Sequence, residues 1–169
     1  MSERSRTDKD ISIDSFRPGD EGEIVDLILS IQREEFGMAI SLQDQPDLLS
    51  IAEFYQTGAG GFWVARACGR IVGTIALKDI GGSAGALRKM FVAEAHRGAA
   101  GVAARLLQHL LASARSSGVR RIYLGTAAVL TAAHRFYEKN GFVRIAADEL
   151  PASFPRMAVD TIFYTIELE

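Results

Sequence analysis

A chain of 169 residues with a formal net charge of −2 can bury a sizeable core within one domain, and it offers no electrostatic reason to expect nucleic acid or an anionic membrane as partner. Its apolar share of 48% and charged share of 24% are ordinary for a soluble globular protein. A single cysteine, Cys68, excludes an internal disulfide framework and fits a reducing cytoplasm, and the three histidines, His96, His109 and His134, lack the spacing of metal ligands. No apolar run is long enough to span a bilayer and the first residues lack a signal-peptide core, so a cytoplasmic location is expected.

Residues 1–10 are polar and mixed in charge and read as a flexible tail, with 11–169 forming one domain. Ile11 and Ile13 alternate with Ser12 and Asp14 in a short first strand that stops at Arg17-Pro18-Gly19. Asp20 then suits the cap of a helix whose buried stripe is Ile24, Leu27, Ile28 and Ile31, ending near Glu34–Gly37. Residues 38–46 lack periodicity and read as a loop. Asp47 suits the cap of a second, short helix carrying Leu48, Leu49, Ile51, Ala52 and Phe54. After the break at Gly58–Gly61, two β-rich runs, Phe62–Arg66 and Ile71–Leu77, flank Cys68-Gly69-Arg70 as a hairpin. Cys68 sits at that turn, with nothing nearby to activate a thiolate.

Gly81–Gly85 is the next loop, and Leu87–Val92 the next strand. The turn Arg97–Gly101 is rich in Gly and Ala, and the helix after it has two apolar rows, Val102, Leu106, Leu110 and Ala103, Leu107, Leu111. Small side chains let a ligand approach the backbone, and a helix start presents unpaired N–H groups at the positive end of its dipole. Together these features are those of a pyrophosphate cradle. Residues 120–125 form a strand, and a helix from Leu130 to Lys139 puts Ala133, Phe136 and Tyr137 on one face before Asn140-Gly141 ends it. Phe142–Ala146 is a strand, Leu150–Met157 a loop with two prolines, and Thr161–Leu168 a last, alternating strand. Strands and helices alternating in the second half argue for an α/β sheet of mixed direction.

This order of elements, with two local patterns, resembles the GNAT superfamily of acetyl-coenzyme A-dependent N-acetyltransferases. One pattern is Phe91-Val92 followed by His96–Ala103 and Leu106-Leu107, similar to the family's strand, pyrophosphate loop and helix. The other, more specific, is Ala133-His134-Arg135-Phe136-Tyr137-Glu138-Lys139-Asn140-Gly141-Phe142. The resemblance implies a mixed, mostly antiparallel sheet of about seven strands flanked by about four helices, and acetyl-CoA as cosubstrate with no metal. It places Met90, Phe91 and Val92, at a bulge in the fourth strand, beside the pantetheine arm. It gives the backbone of Arg97, Gly98, Ala99, Ala100, Gly101, Val102 and Ala103 to the pyrophosphate. Thr126 lines the arm, and Ala133 and Phe136 wall its other side. Tyr137 takes the position of the tyrosine that protonates the departing thiolate, a task suited to a phenol of pKa ~10 facing a thiol of ~8.5.

Three departures bear on these expectations. Either the pyrophosphate loop is one residue longer than the commonest form or Arg97 has shifted its role, and Leu130 replaces a frequent Asn. The start of the fourth strand reads Gly85-Ala86-Leu87-Arg88-Lys89, without the carboxylate that often serves as base. Glu34, Glu35, Asp79 and His134 are the groups left for that task, each with a solvated or structural role as the plainer reading. The acceptor implied is a small-molecule or peptide amine, and a homodimer is compatible with the resemblance. Two rival readings are a non-catalytic coenzyme A-binding module on the same fold and an acyltransferase using a longer acyl group.

Overall fold

The computed structural model describes residues 10–98 and 101–169, so expectations for the tail and for Ala99 and Ala100 lie outside the described residues. One seven-stranded sheet runs through the molecule in the order β1-β2-β3-β4-β5-β7-β6. Its strands are β1 (Ile11–Ser15), β2 (Gly61–Ala67), β3 (Arg70–Gly81), β4 (Ala84–Val92), β5 (Arg121–Thr126), β6 (Val143–Ile145) and β7 (Ile162–Glu167). All neighbours pair antiparallel except β4 and β5, which run parallel. Four α-helices cover the faces: α1 (Glu21–Leu29), α2 (Ile51–Tyr55), α3 (Val102–Ser116) and α4 (Thr131–Lys139). The expected architecture is the one observed.

Each sheet face has its own core. Ile24 and Ile28 of α1 and Ile51 and Tyr55 of α2 pack on Phe62, Val64 and Ala76. On the other face Val102, Leu106, Leu107, Leu110 and Leu111 of α3 meet Ala65, Ile75, Leu77 and Ile122. Gly73 brings α3 close to the sheet, since a Cβ there would stand 3.0 Å from Leu106 Cδ1. A third, smaller cluster joins Ala86 and Phe163 to Phe154 of the proline-containing loop. Phe163 and Tyr164 are therefore both buried, and the two-sided cover overrides the alternation expected of the last strand.

Several local expectations are corrected. The first helix does not continue regularly to Glu34: Ser30–Glu35 is a π-turn, with the N–H of Phe36 donating to Ile31 O. Asp20 stands at the N-cap of α1, but its carboxylate accepts from Arg17 N and Arg66 Nη2 rather than from the helix. Asp47 lies inside a 3₁₀ turn, Pro46–Leu49, with its side chain buried, while Leu49 is 65% exposed. The β3–β4 hairpin is tighter than the loop expected at Gly81–Gly85. Gly81 pairs with Ala84 across Gly82 and Ser83, both at positive φ, the geometry of a type I′ turn.

Candidate functional site

β4 controls the site through two irregularities. Thr74 pairs with Phe91 and Ala76 with Arg88, so two residues of β4, Lys89 and Met90, face one of β3. This is a β-bulge, with Lys89 at φ +54° and its carbonyl accepting from Thr74 Oγ1 at 2.7 Å. On its other edge β4 pairs with β5 only at Ala84, Gly85 and Ala86. Beyond Ala86 the two strands diverge, and β5 stays with β7 out to Thr126. The bulged half of β4 therefore faces an open wedge in the sheet.

Two cavities fill this wedge and meet. A cleft of about 260 Å³ is lined by Met90, Phe91, Val92, Arg97, Gly98, Ala103, Ala133, Phe136 and Tyr137, together with Ile31, Phe36, Leu130 and Ala132. A cavity of about 90 Å³ shares Met90, Phe91, Leu130, Ala133 and Tyr137 with the cleft and continues toward Gln32, Arg88, Lys89, Gly125, Thr126, Met157 and Asp160. Most residues expected on the cofactor path thus line one cleft, and Thr126 lines the smaller cavity. Val102 has its side chain in the core, so only its backbone faces outward at the helix start. Gly101 is the N-cap of α3 at φ +65°, a left-handed conformation that favours glycine.

Arg97 has a fixed place. Its Nε donates to Val92 O at 2.8 Å, and its Nη1 and Nη2 bind the two carboxylate oxygens of Glu35. That hydrogen-bonded pair holds the Glu35 carboxyl below its usual range. The π-turn is what carries Glu35 to this position. Tyr137 is buried against Phe136, Phe142 and Tyr164, with ring centroids 5.7, 5.5 and 6.1 Å away. Burial, then the negative charge of Asp160, raises its phenol above the ordinary value, so it stays protonated throughout the neutral range.

Behind the bulge lies a buried polar network that gives no signal in the sequence. Lys89 Nζ donates to Gln45 Oε1 at 2.7 Å and stands 3.4 Å from Asp47 Oδ2. Asp47 also accepts from the Tyr55 hydroxyl, and Gln45 exchanges two amide hydrogen bonds with Gln32 of the π-turn. These contacts clamp residues 41–55 to β4. Burial lowers the Lys89 ammonium from 10.5 to about 8, against the opposing pull of Asp47. Arg88 Nη1 donates to Pro155 O at 2.9 Å, which draws the proline-containing loop over the small cavity.

The four acid–base candidates named from sequence are engaged elsewhere, and none lines the small cavity. Glu34 accepts from Ser30 Oγ, and Glu35 holds Arg97. Asp79 accepts from the N–H groups of Ala59 and Gly81, and His134 Nε2 donates to Ala127 O at 3.0 Å. The carboxylate that does line the cavity is Asp160, in the turn before β7. A lone Asp in a loop has no periodicity to mark it. Only the pairing of β7 with β5 brings it to the wedge. Among the described residues no three His, Cys, Asp or Glu side chains are grouped to hold a metal ion, and no helix is long and apolar enough to cross a membrane.

Comparison with known proteins gives concordant matches. The model of the acetyltransferase (GNAT) family matches residues 25–142. Among solved structures, a GNAT-family acetyltransferase from Staphylococcus aureus Mu50 is 37% identical with a TM-score of 0.92, covering 94% of this chain and 99% of that one. An acetyltransferase from Streptococcus agalactiae 2603 is 31% identical with a TM-score of 0.89, covering 95% and 99%. The N-acetylaspartate synthetase of Danio rerio is 33% identical over 125 residues, 71% of this chain and 44% of that protein. The chain thus spans less than half the length of that relative.

Proposed function

This chain belongs to the GNAT acetyltransferase family, and from that premise we propose that it transfers the acetyl group of acetyl-CoA to the primary amine of a small, carboxylate-bearing acceptor such as an amino acid. The observation that carries this reading is the meeting of two cavities at Met90, Phe91 and Tyr137. The longer cleft runs from the start of α3 and suits an extended pantetheine arm. Its far end is a helix N-terminus with a left-handed glycine and small neighbours, which favours an anion such as pyrophosphate. At the junction, backbone groups of the β4 bulge would polarise the thioester carbonyl, and Tyr137 would give its proton to the departing thiolate.

The small cavity supplies the acceptor preference. Arg88 lines it, with Nη1 donating to Pro155 O at 2.9 Å and Nη2 in a long ion pair, 3.9 Å, with Asp47. A carboxylate entering this space would meet the positive charge of that guanidinium. The name of the N-acetylaspartate synthetase supports the same class. Steady-state turnover of acetyl-CoA with L-aspartate, L-glutamate and L-alanine, each set against its α-carboxamide form, tests this. The free acids are expected to exceed the amides at least tenfold in kcat/KM. Equal rates for acids and amides would remove the carboxylate requirement.

A further inference from the structure

Transfer to an amine requires an acceptor for the amine's own proton, because an ammonium ion has no lone pair with which to attack a carbonyl. Asp160 lies in the cavity where that ammonium must sit, and three contacts built by the backbone hold it there. The N–H of Asp160 donates to Met157 O at 3.1 Å, and the N–H of Met157 donates back to Asp160 Oδ2 at 3.4 Å. The N–H of Thr161 donates to Thr126 O at 3.1 Å, fastening the turn to the end of β5. Gly125 lets the carboxylate lie directly on β5, since a Cβ at that residue would stand 2.8 Å from Oδ2.

We propose that Asp160 anchors the acceptor's ammonium group and takes its proton. The proposal rests on the acetyl-transfer reading above. The charged and titratable groups facing Asp160 are Arg88 and Lys89 from β4, Arg156 from its own loop and Tyr137 from α4. Burial raises the Asp160 carboxyl above its ordinary range, and the Met157 N–H, then the three cations, oppose that rise without cancelling it. A base raised toward the working pH is better matched to its task than a fully solvated carboxylate.

The protons balance as follows. The ammonium gives one proton to Asp160, and the free amine forms the C–N bond to the acetyl carbon as the C–S bond breaks. The thiolate takes the proton of Tyr137, and the second amine proton returns to the tyrosinate. Asp160 then releases its proton to solvent, so one proton leaves per turnover.

The test compares wild type with Asp160→Asn, using L-aspartate, L-glutamate and L-alanine as probes, with kcat/KM measured from pH 6 to 10 and acetyl-CoA binding by calorimetry. At neutral pH the variant should fall by roughly 10²–10³-fold. The deficit should shrink as pH rises, because the amine then loses its proton to water unaided. Asp160 helps to hold the Lys89 ammonium charged, so Lys89 titrates at lower pH in the variant, and the ratio is read well above pH 8, where Lys89 is neutral in both proteins. Acetyl-CoA affinity should not change. A ratio independent of pH, full activity in the variant, or loss of acetyl-CoA binding would each overturn the role given to Asp160. A wild type that binds acetyl-CoA but acetylates none of the probes overturns the amino-acid reading and this proposal together, whereas an active wild type with a pH-independent ratio overturns this proposal alone.

Discussion

Replacing Tyr137 with phenylalanine is expected to lower kcat by roughly 10²–10⁴-fold, the usual contribution of a positioned general acid, while acetyl-CoA binds as before. The ring contacts survive the change, since only the hydroxyl is removed from a packed trio of aromatic neighbours. What disappears is the hydroxyl proposed as proton donor, on a side chain that lines both cavities. A phenol raised by burial is a weak acid in isolation. Burial of the leaving thiolate in the same surroundings would raise its thiol too and narrow the mismatch. Rapid-quench and steady-state kinetics with acetyl-CoA would reveal the loss as slow chemistry with an unaltered dissociation constant. An unchanged kcat would return Tyr137 to the role of a core aromatic.

The second large effect concerns stability. Asp47→Ala removes the acceptor of the Tyr55 hydroxyl and the countercharge of Lys89 while leaving the ammonium buried. Breaking a buried pair on one side costs about 3–5 kcal/mol. Denaturant titration should show a deficit of that size near pH 7. The pH dependence has a definite sign. Lys89 has a folded-state value lowered to about 8 against 10.5 when unfolded, so between these limits the unfolded chain binds more protons and stability rises with pH. Without Asp47 the folded value drops further. The deficit of the variant should therefore narrow as pH rises toward about 8 and level off above it, where Lys89 is neutral in both folded proteins. Lys89→Met in the Asp47→Ala background should recover part of the loss, because the buried ammonium left without its partner is then gone. A deficit that does not vary with pH would exclude Lys89 as its source.

What could be read from the sequence follows the range over which each signal acts. The α4 signature, from Ala133 to Phe142, is local, and the structure puts Ala133, Phe136 and Tyr137 on the face that walls the cleft. The apolar rows of α3 are likewise a helical period, and Val102, Leu106, Leu107, Leu110 and Leu111 are buried as that period requires. The Lys89–Gln45–Asp47–Gln32 network joins three segments, and no periodicity records it. Arg88 and Lys89 were visible only as a place without a carboxylate. The bulge turns Lys89 into the network and leaves Arg88 on the cavity wall. The π-turn also escaped the helical pattern, because one extra residue per turn shifts the face presented and delivers Glu35 to Arg97. Asp160 depends on strand order: β7 inserts between β5 and β6, and only that crossover carries the turn before it to the wedge.

The central claim, that acetyl-CoA lies in the cleft with its pyrophosphate at the start of α3, is tested most directly by calorimetric titration of acetyl-CoA into the wild type, Gly101→Asn and Gly101→Glu. A Cβ at Gly101 meets nothing within 4 Å, so both side chains have room, and both carry the same left-handed backbone at φ +65°. Asn tolerates that conformation best and adds no charge. Glu puts a carboxylate at the proposed position of the phosphate charge. Binding in the wild type and Gly101→Asn, with loss of at least tenfold in affinity for Gly101→Glu, is the predicted result. Equal affinity in all three, or no binding by the wild type, would contradict it.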